Sequence, residues 1–132
     1  NVLESFKMPF EEILNIMNAL GNHEDEQELP THPLTAALSI ADKSDVHFSR
    51  VKEKPKREFD IHDRVNFAAK KSKLKIIKGK ERIILLELEI KTENVRLMEY
   101  FEIFLSRMTL CRKSAEYLDC IFSLVINKTK LL

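Results

Sequence analysis

Glycine, cysteine and tryptophan are scarce in this sequence, which has two, two and none of them in 132 residues. Phosphate-binding loops and dinucleotide-binding motifs need several glycines close together, whereas Gly21 and Gly79 lie far apart. Zinc sites need paired cysteine or histidine ligands at fixed spacing, and no CxxC, HxxxH or HExxH pattern occurs. We therefore expect no bound cofactor and no metal.

The residues that commonly act as nucleophiles or bases lack partners in the sequence. Cys111 has no histidine near it in sequence to act as a base, and Cys120 lies among apolar residues. The carboxylates of Glu87 and Glu89 fall on a polar stripe that solvent exposure already explains. We predict that the protein is not an enzyme and has no catalytic residue.

Long apolar runs are missing as well. Runs such as Ile83–Leu86 are far shorter than the roughly 20 residues that a membrane-spanning helix needs. No signal peptide is visible, and two cysteines are too few for a disulfide framework. We expect an intracellular protein, nuclear or cytoplasmic, that does not contact a membrane. Because the first residue is Asn1 rather than methionine, we also expect a fragment of a longer chain.

The remaining composition favours one folded domain over residues 1–132, since 44% of the residues are hydrophobic and a chain of this length can bury a core. Charge is segregated along the chain. Residues 1–49 hold two basic and nine acidic residues, residues 50–82 hold thirteen basic and five acidic ones, and the rest is neutral. The polar segment at about 43–58 has no apolar periodicity, so we expect a mobile loop there.

Apolar spacing predicts three helices in the first half of the chain, over about residues 9–20, 33–42 and 61–71. Gly21 is expected to end the first with a left-handed residue, and Asp60 is expected to cap the third.

Residues 73–90 fit a β-hairpin better than a helix. Apolar residues alternate along the second arm from Ile84 to Ile90, and Gly79 can form the turn. A helix that uses Ile83, Leu86 and Ile90 is the alternative.

The stretch from Glu93 to Asn127 contains no glycine and no proline, and it is apolar around most of a helical circumference. The apolar row that includes Met108 continues at helical steps to the charged residues Arg112 and Asp119, so we predict a break between Thr109 and Lys113. The predicted fold is therefore mainly α, a small helical bundle with a C-terminal helical hairpin. The central β-hairpin is optional in this fold, and an α+β fold is the alternative.

The apolar surface of this C-terminal stretch exceeds what the N-terminal helices can cover, and large exposed apolar patches are interaction sites. We therefore predict a non-enzymatic protein–protein interaction or oligomerisation domain, a scaffold that binds a protein partner or another copy of itself. The predicted interface consists of seven apolar residues: Phe101, Phe104, Leu105, Tyr117, Ile121, Phe122 and Val125.

The alternative function is a nucleic-acid-binding module that uses the basic segment 50–82. Lysines that neutralise phosphates release counterions, but only Phe59 and Phe67 are interleaved for stacking on bases. Solubility of the hairpin edge, or pairing with the acidic N-terminal block, explains the same basic patch without nucleic acid. The predicted contacts are six lysines: Lys70, Lys71, Lys73, Lys75, Lys78 and Lys80.

Overall fold

The computed structural model describes residues 2–24, 29–51, 55–91 and 97–131, and in these ranges the protein has an α+β fold with one four-stranded mixed sheet. The helices are α1 (Val2–Ser5), α2 (Phe10–Asn22), α3 (Pro33–Ser44), α4 (Ile61–Ala68) and α5 (Leu97–Tyr117). The strands are β1 (Ala69–Lys78), β2 (Arg82–Ile90), β3 (Ile121–Ile126) and β4 (Thr129–Lys130). Two 3₁₀ turns, Phe48–Arg50 and Lys56–Glu58, lie between α3 and α4.

The expectation of a mainly α bundle is wrong, because the protein is 53% helix and 23% strand and its sheet is a principal layer of the fold. The hairpin predicted for residues 73–90 is present, with β1 antiparallel to β2 and Leu74 opposite Leu86. It is half of a larger sheet, because β2 also pairs in parallel with β3, which pairs antiparallel with β4. Helix α5 is the crossover that a parallel pair of strands requires.

The predicted C-terminal helical hairpin is wrong as well. Helix α5 continues through Thr109–Lys113 to Tyr117, and the strand β3 takes the place of the second helix. The break was predicted from a row that leads from Met108 to Arg112, but the buried row leads from Met108 to Cys111 and stays apolar. This buried row consists of Phe104, Met108, Cys111 and Ala115.

Asp119 ends α5 in the conformation that a glycine usually provides. Its φ of 55° is left-handed, and the Cys120 N–H donates to the Ala115 carbonyl at 2.9 Å while the Asp119 N–H donates to the Glu116 carbonyl at 3.0 Å. These two hydrogen bonds form the Schellman pattern that closes many helices. Aspartate enters the left-handed region more readily than most residues, so the chain turns here and enters β3.

The turn between β3 and β4 consists of Asn127 and Lys128, whose φ angles of 48° and 69° are typical of a type I′ hairpin turn. The Asn127 side chain also ties β3 to β2. Its Oδ1 accepts from the Ile90 N–H at 2.8 Å, and its Nδ2 donates to the Ile90 carbonyl at 3.0 Å.

The helices cover one face of the sheet, and the core lies between them. Alternate residues of β2, from Ile84 to Ile90, are buried with Phe122 and Leu124 of β3. Residues of α3, α4 and α5 pack against them. Val46, inside the segment predicted as a mobile loop, is fully buried in this core.

The predicted helices of the first half are present as α2, α3 and α4. Helix α2 continues through Gly21, which lacks a positive φ, so the predicted left-handed stop is wrong. Asp60 caps α4 as predicted, in a reciprocal capping box with Asp63. Helix α4 ends at Ala68, earlier than predicted, because β1 begins at the next residue.

Candidate interaction surfaces

An apolar groove lies between α5 and the β3–β4 end of the chain, and we call it the α5–β3 groove. It is lined by seven residues: Phe101, Phe104, Leu105, Met108, Leu124, Ile126 and Leu131. Its volume is about 160 Å³. Phe101, Leu105 and Leu131 are 41%, 67% and 46% exposed, whereas Phe104, Met108 and Leu124 are buried and belong to the core.

The structure divides the seven predicted interface residues among four environments. Three of them, Phe101, Phe104 and Leu105, come together in the α5–β3 groove. Phe122 is buried in the core, while Tyr117 and Ile121 are exposed where α5 ends and β3 begins. Val125 lies opposite Glu87, in a second groove described next. The sequence pattern does not single out Leu124, Ile126 and Leu131 for this surface, because they reach the α5–β3 groove only through the pairing of β3.

The face of the sheet away from the helices carries charges in cross-strand pairs. The Lys71 Nζ is 3.0 Å from the Glu89 carboxylate, and the Lys75 Nζ is 2.5 Å from the Glu87 carboxylate. An open groove of about 750 Å³ runs beside these pairs, and it is lined by Lys71, Lys73, Glu87, Leu88, Glu89, Val125, Asn127 and Lys128. Exposed ion pairs contribute little stability. The main effect here is that the lysine and the glutamate of each pair neutralise each other's charge.

The six lysines predicted to contact nucleic acid do not form one free basic surface. Lys71 and Lys75 are in ion pairs, and the Lys70 Nζ lies over two aromatic rings, 4.5 Å from the Phe67 centroid and 4.9 Å from the Phe48 centroid. The others, Lys73, Lys78 and Lys80, are exposed. Nucleic-acid binding by residues 50–82 stays a prediction.

Two groups of residues have chemistry of interest outside these surfaces. The ligand atoms of His23, Glu24 and Asp42 lie within 4.8 Å of one another, but the Asp42 carboxylate already accepts from the Lys43 ammonium at 2.8 Å, and that cation would compete with a metal ion. Cys111 is buried, and burial raises the pKa of its thiol to about 12. The thiol therefore stays protonated, and it is a poor nucleophile in the folded protein.

The Asp42–Lys43 ion pair is well shielded from solvent, because the Lys43 side chain is only 12% exposed. Burial alone would raise the pKa of Asp42, but the hydrogen bond and charge of Lys43, with the charges of His23 and Arg50, lower this pKa below its ordinary value of 3.8. Since the ionised form is favoured in the folded protein, the pair stabilises the fold above that pH.

Replacing Asp42 by asparagine is expected to lower the free energy of unfolding by about 1–3 kcal/mol at neutral pH, because the Lys43 ammonium loses its counter-charge. The stabilisation from Asp42 is lost as the pH falls through its lowered folded-state pKa, so urea unfolding of the wild type and Asp42→Asn should converge in the acid range below pH 3.8. Asp45→Asn is the control, because Asp45 forms an ion pair with Arg50 that is more exposed than the Asp42–Lys43 pair. This variant should change the free energy of unfolding by less than about 0.5 kcal/mol. If the difference in unfolding free energy between Asp42→Asn and the wild type stays the same below pH 3.8, the Asp42 carboxylate does not stabilise the fold through its charge.

Within the described ranges, no helix is long and apolar enough to cross a membrane. Comparison with protein-family models, with curated proteins and with solved structures found no match to this chain.

Proposed function

We propose that this chain is a protein–protein interaction domain that binds an apolar side chain of a partner in the α5–β3 groove. The observation that carries the proposal is the lining of that groove, which consists of seven apolar residues, three of them more than 40% exposed. Covering such a surface releases water and contributes about 25 cal/mol for each Å² of apolar area removed from solvent.

The size of the groove favours one anchoring side chain. Its volume of about 160 Å³ is close to that of an engineered apolar cavity of about 150 Å³ that holds a benzene molecule. We therefore expect the partner to insert a single leucine or phenylalanine side chain. Because Phe104 and Met108 are fixed in the core, little ordering is needed when the partner binds.

The proposal includes an intracellular site of action, in the nucleus or the cytoplasm. Cys111 and Cys120 are both free thiols, which suits a reducing compartment.

A photoreactive benzophenone amino acid at position 105 should identify the partner by crosslinking in cells that express the protein. We expect the crosslinked segment of the partner to contain an exposed leucine or phenylalanine. Leu105→Asp should weaken binding of the purified partner at least tenfold in calorimetry, because the bound state would bury an unpaired carboxylate. Replacing the partner's anchor by alanine should have a similar effect.

Ile76→Asp is the matched control, because Ile76 is 69% exposed and Leu105 is 67% exposed, and both changes put a carboxylate on an exposed aliphatic position. The control variant should bind the partner as the wild type does. The proposal is wrong if Leu105→Asp and Ile76→Asp bind equally well, or if position 105 crosslinks only to another copy of the chain.

A further inference from the structure

An exposed apolar row runs along α2, and no part of the chain that the structure describes covers it. Phe10, Leu14 and Met17 follow one another at steps of four and three residues and are 70%, 47% and 58% exposed. Ile13 and Ala19, on another side of the helix, are buried, and α2 packs on α3. Apolar rows at this spacing are the surfaces with which helices pack on helices.

Gly21 extends the row by one more turn, and nothing in the part of the chain that the structure describes accounts for a glycine there. Its φ is not positive, so the backbone conformation does not require it. A Cβ added to it would meet no atom within 4 Å, so internal packing does not require it either. Glycine is also a poor helix former. The absence of a side chain at this position leaves room for another molecule to approach the backbone of α2 closely.

We infer that α2 packs antiparallel against α2 of a second copy of this chain, around a two-fold axis that passes between Leu14 and Met17. Such an axis brings Leu14 of one copy opposite Met17 of the other, and it brings Phe10 opposite Gly21. The largest side chain of the row then meets the one position without a side chain, at both ends of the contact. The row is therefore complementary to itself, as a two-fold interface requires.

The charges of α2 are compatible with this arrangement. Its acidic residues, Glu11 and Glu12, lie in the first turn, and the remainder of the helix is uncharged. With a rise of 1.5 Å per residue, Glu12 and its symmetry mate lie roughly 10 Å apart along the helix axis, and Glu11 and its mate lie roughly 13 Å apart. The distance of about 8–10 Å between the two helix axes adds to these separations, so both pairs lie beyond the screening length of about 8–10 Å in physiological salt.

A single pair of helices buries less than the roughly 1,200 Å² at the low end of specific interfaces. We therefore expect a weak dimer, with a dissociation constant on the order of 10–100 μM. Such a dimer forms only where the protein is concentrated or where another contact holds two copies together.

Sedimentation equilibrium of the whole chain, over two decades of concentration around this value, tests the inference. The wild type should change from monomer to dimer. Phe10→Ala and Gly21→Phe should each raise the dissociation constant at least tenfold, the first by leaving a hole and the second by opposing two phenyl rings. The double variant should dimerise as the wild type does, because a phenyl ring again faces a small residue.

Circular dichroism establishes that each variant is folded. If Gly21→Phe does not fold, Gly21→Ala replaces it in the experiment. Alanine is the better helix former, so this variant should have a higher melting temperature than the wild type, yet its dimer should still be weaker. Leu105→Asp should dimerise normally, so this inference and the proposed function fail separately. A wild type that stays monomeric throughout, or single and double variants that dimerise alike, would overturn the inference.

Discussion

Phe104→Ala is expected to lower the free energy of unfolding by about 3–5 kcal/mol, whereas Leu105→Ala is expected to change it by less than about 0.5 kcal/mol. Phe104 is 2% exposed and belongs to the core cluster that joins α5 to the sheet, while its neighbour Leu105 is 67% exposed. Removing the buried ring forfeits its transfer free energy and leaves a cavity, and neither term applies to the exposed side chain.

Urea unfolding of the two variants beside the wild type measures this difference. Small domains have a total stability of about 5–15 kcal/mol, so Phe104→Ala removes a large share of it. If that variant does not fold, Phe104→Leu should show a smaller loss in the same direction. Equal effects at the two positions would contradict the assignment of Phe104 to the core and Leu105 to the rim of the α5–β3 groove.

The elements that the sequence predicts well are those whose signals are local. The alternation from Ile84 to Ile90 and the turn at Gly79 predict the hairpin of β1 and β2, which is present with Gly79 in its turn, although Gly79 does not take a positive φ. The cap at Asp60 likewise depends on a residue three positions away, and it is present as a capping box. Such signals are readable because the interacting groups lie within a few residues of one another.

The elements that the sequence misses are decided by contacts over long distances along the chain. The run Ile121–Ile126 is apolar except for Ser123, a pattern that fits both a buried helix and a buried strand. Its partner β2 decides between them, because Ile83–Leu88 pairs with it in parallel register. The stop before this run is Asp119, a residue that seldom marks a helix end, so periodicity alone favours a second helix.

The candidate groove depends on the same long-range pairing. The sequence singles out Phe101, Phe104 and Leu105 because they lie close together on α5, and the structure brings these three to the α5–β3 groove. The opposite wall comes from β3 and the residues after β4, and its position is fixed only when the sheet is complete. Tyr117 and Ile121 lie outside the groove because the chain turns at Asp119.

Asn127→Ala is expected to lower the free energy of unfolding by about 2–4 kcal/mol. The change removes two hydrogen bonds to the buried residue Ile90, and a buried backbone group that loses its partner costs about 1–3 kcal/mol. Alanine must also hold the left-handed φ of 48° without the side-chain hydrogen bonds that offset its cost in asparagine, and left-handed backbone costs about 1–2 kcal/mol for most residues.

Two variants separate these contributions. Asn127→Gly relieves the backbone strain but loses both side-chain bonds, so it should be less destabilising than Asn127→Ala. Lys128→Gly relieves the strain at the next residue, whose φ is 69°, and it should be neutral or slightly stabilising. Urea unfolding gives these differences, and hydrogen exchange of the Ile90 amide reports the bond itself, which should exchange faster in both Asn127 variants.

The size of this effect follows from where the side chain acts. Ile90 and Asn127 are 37 residues apart in sequence, and their bonds join the carboxyl ends of the two parallel strands on either side of α5. Pairing β2 with β3 closes a long loop of chain, which costs conformational entropy. The Asn127 bonds to Ile90 help to offset this cost, so they stabilise the completed sheet and the wall of the α5–β3 groove that β3 provides. Asn127→Ala should therefore also weaken binding at that groove. Asp42→Asn, on α3 and outside the lining of the groove, should leave binding unchanged at temperatures where both variants are folded.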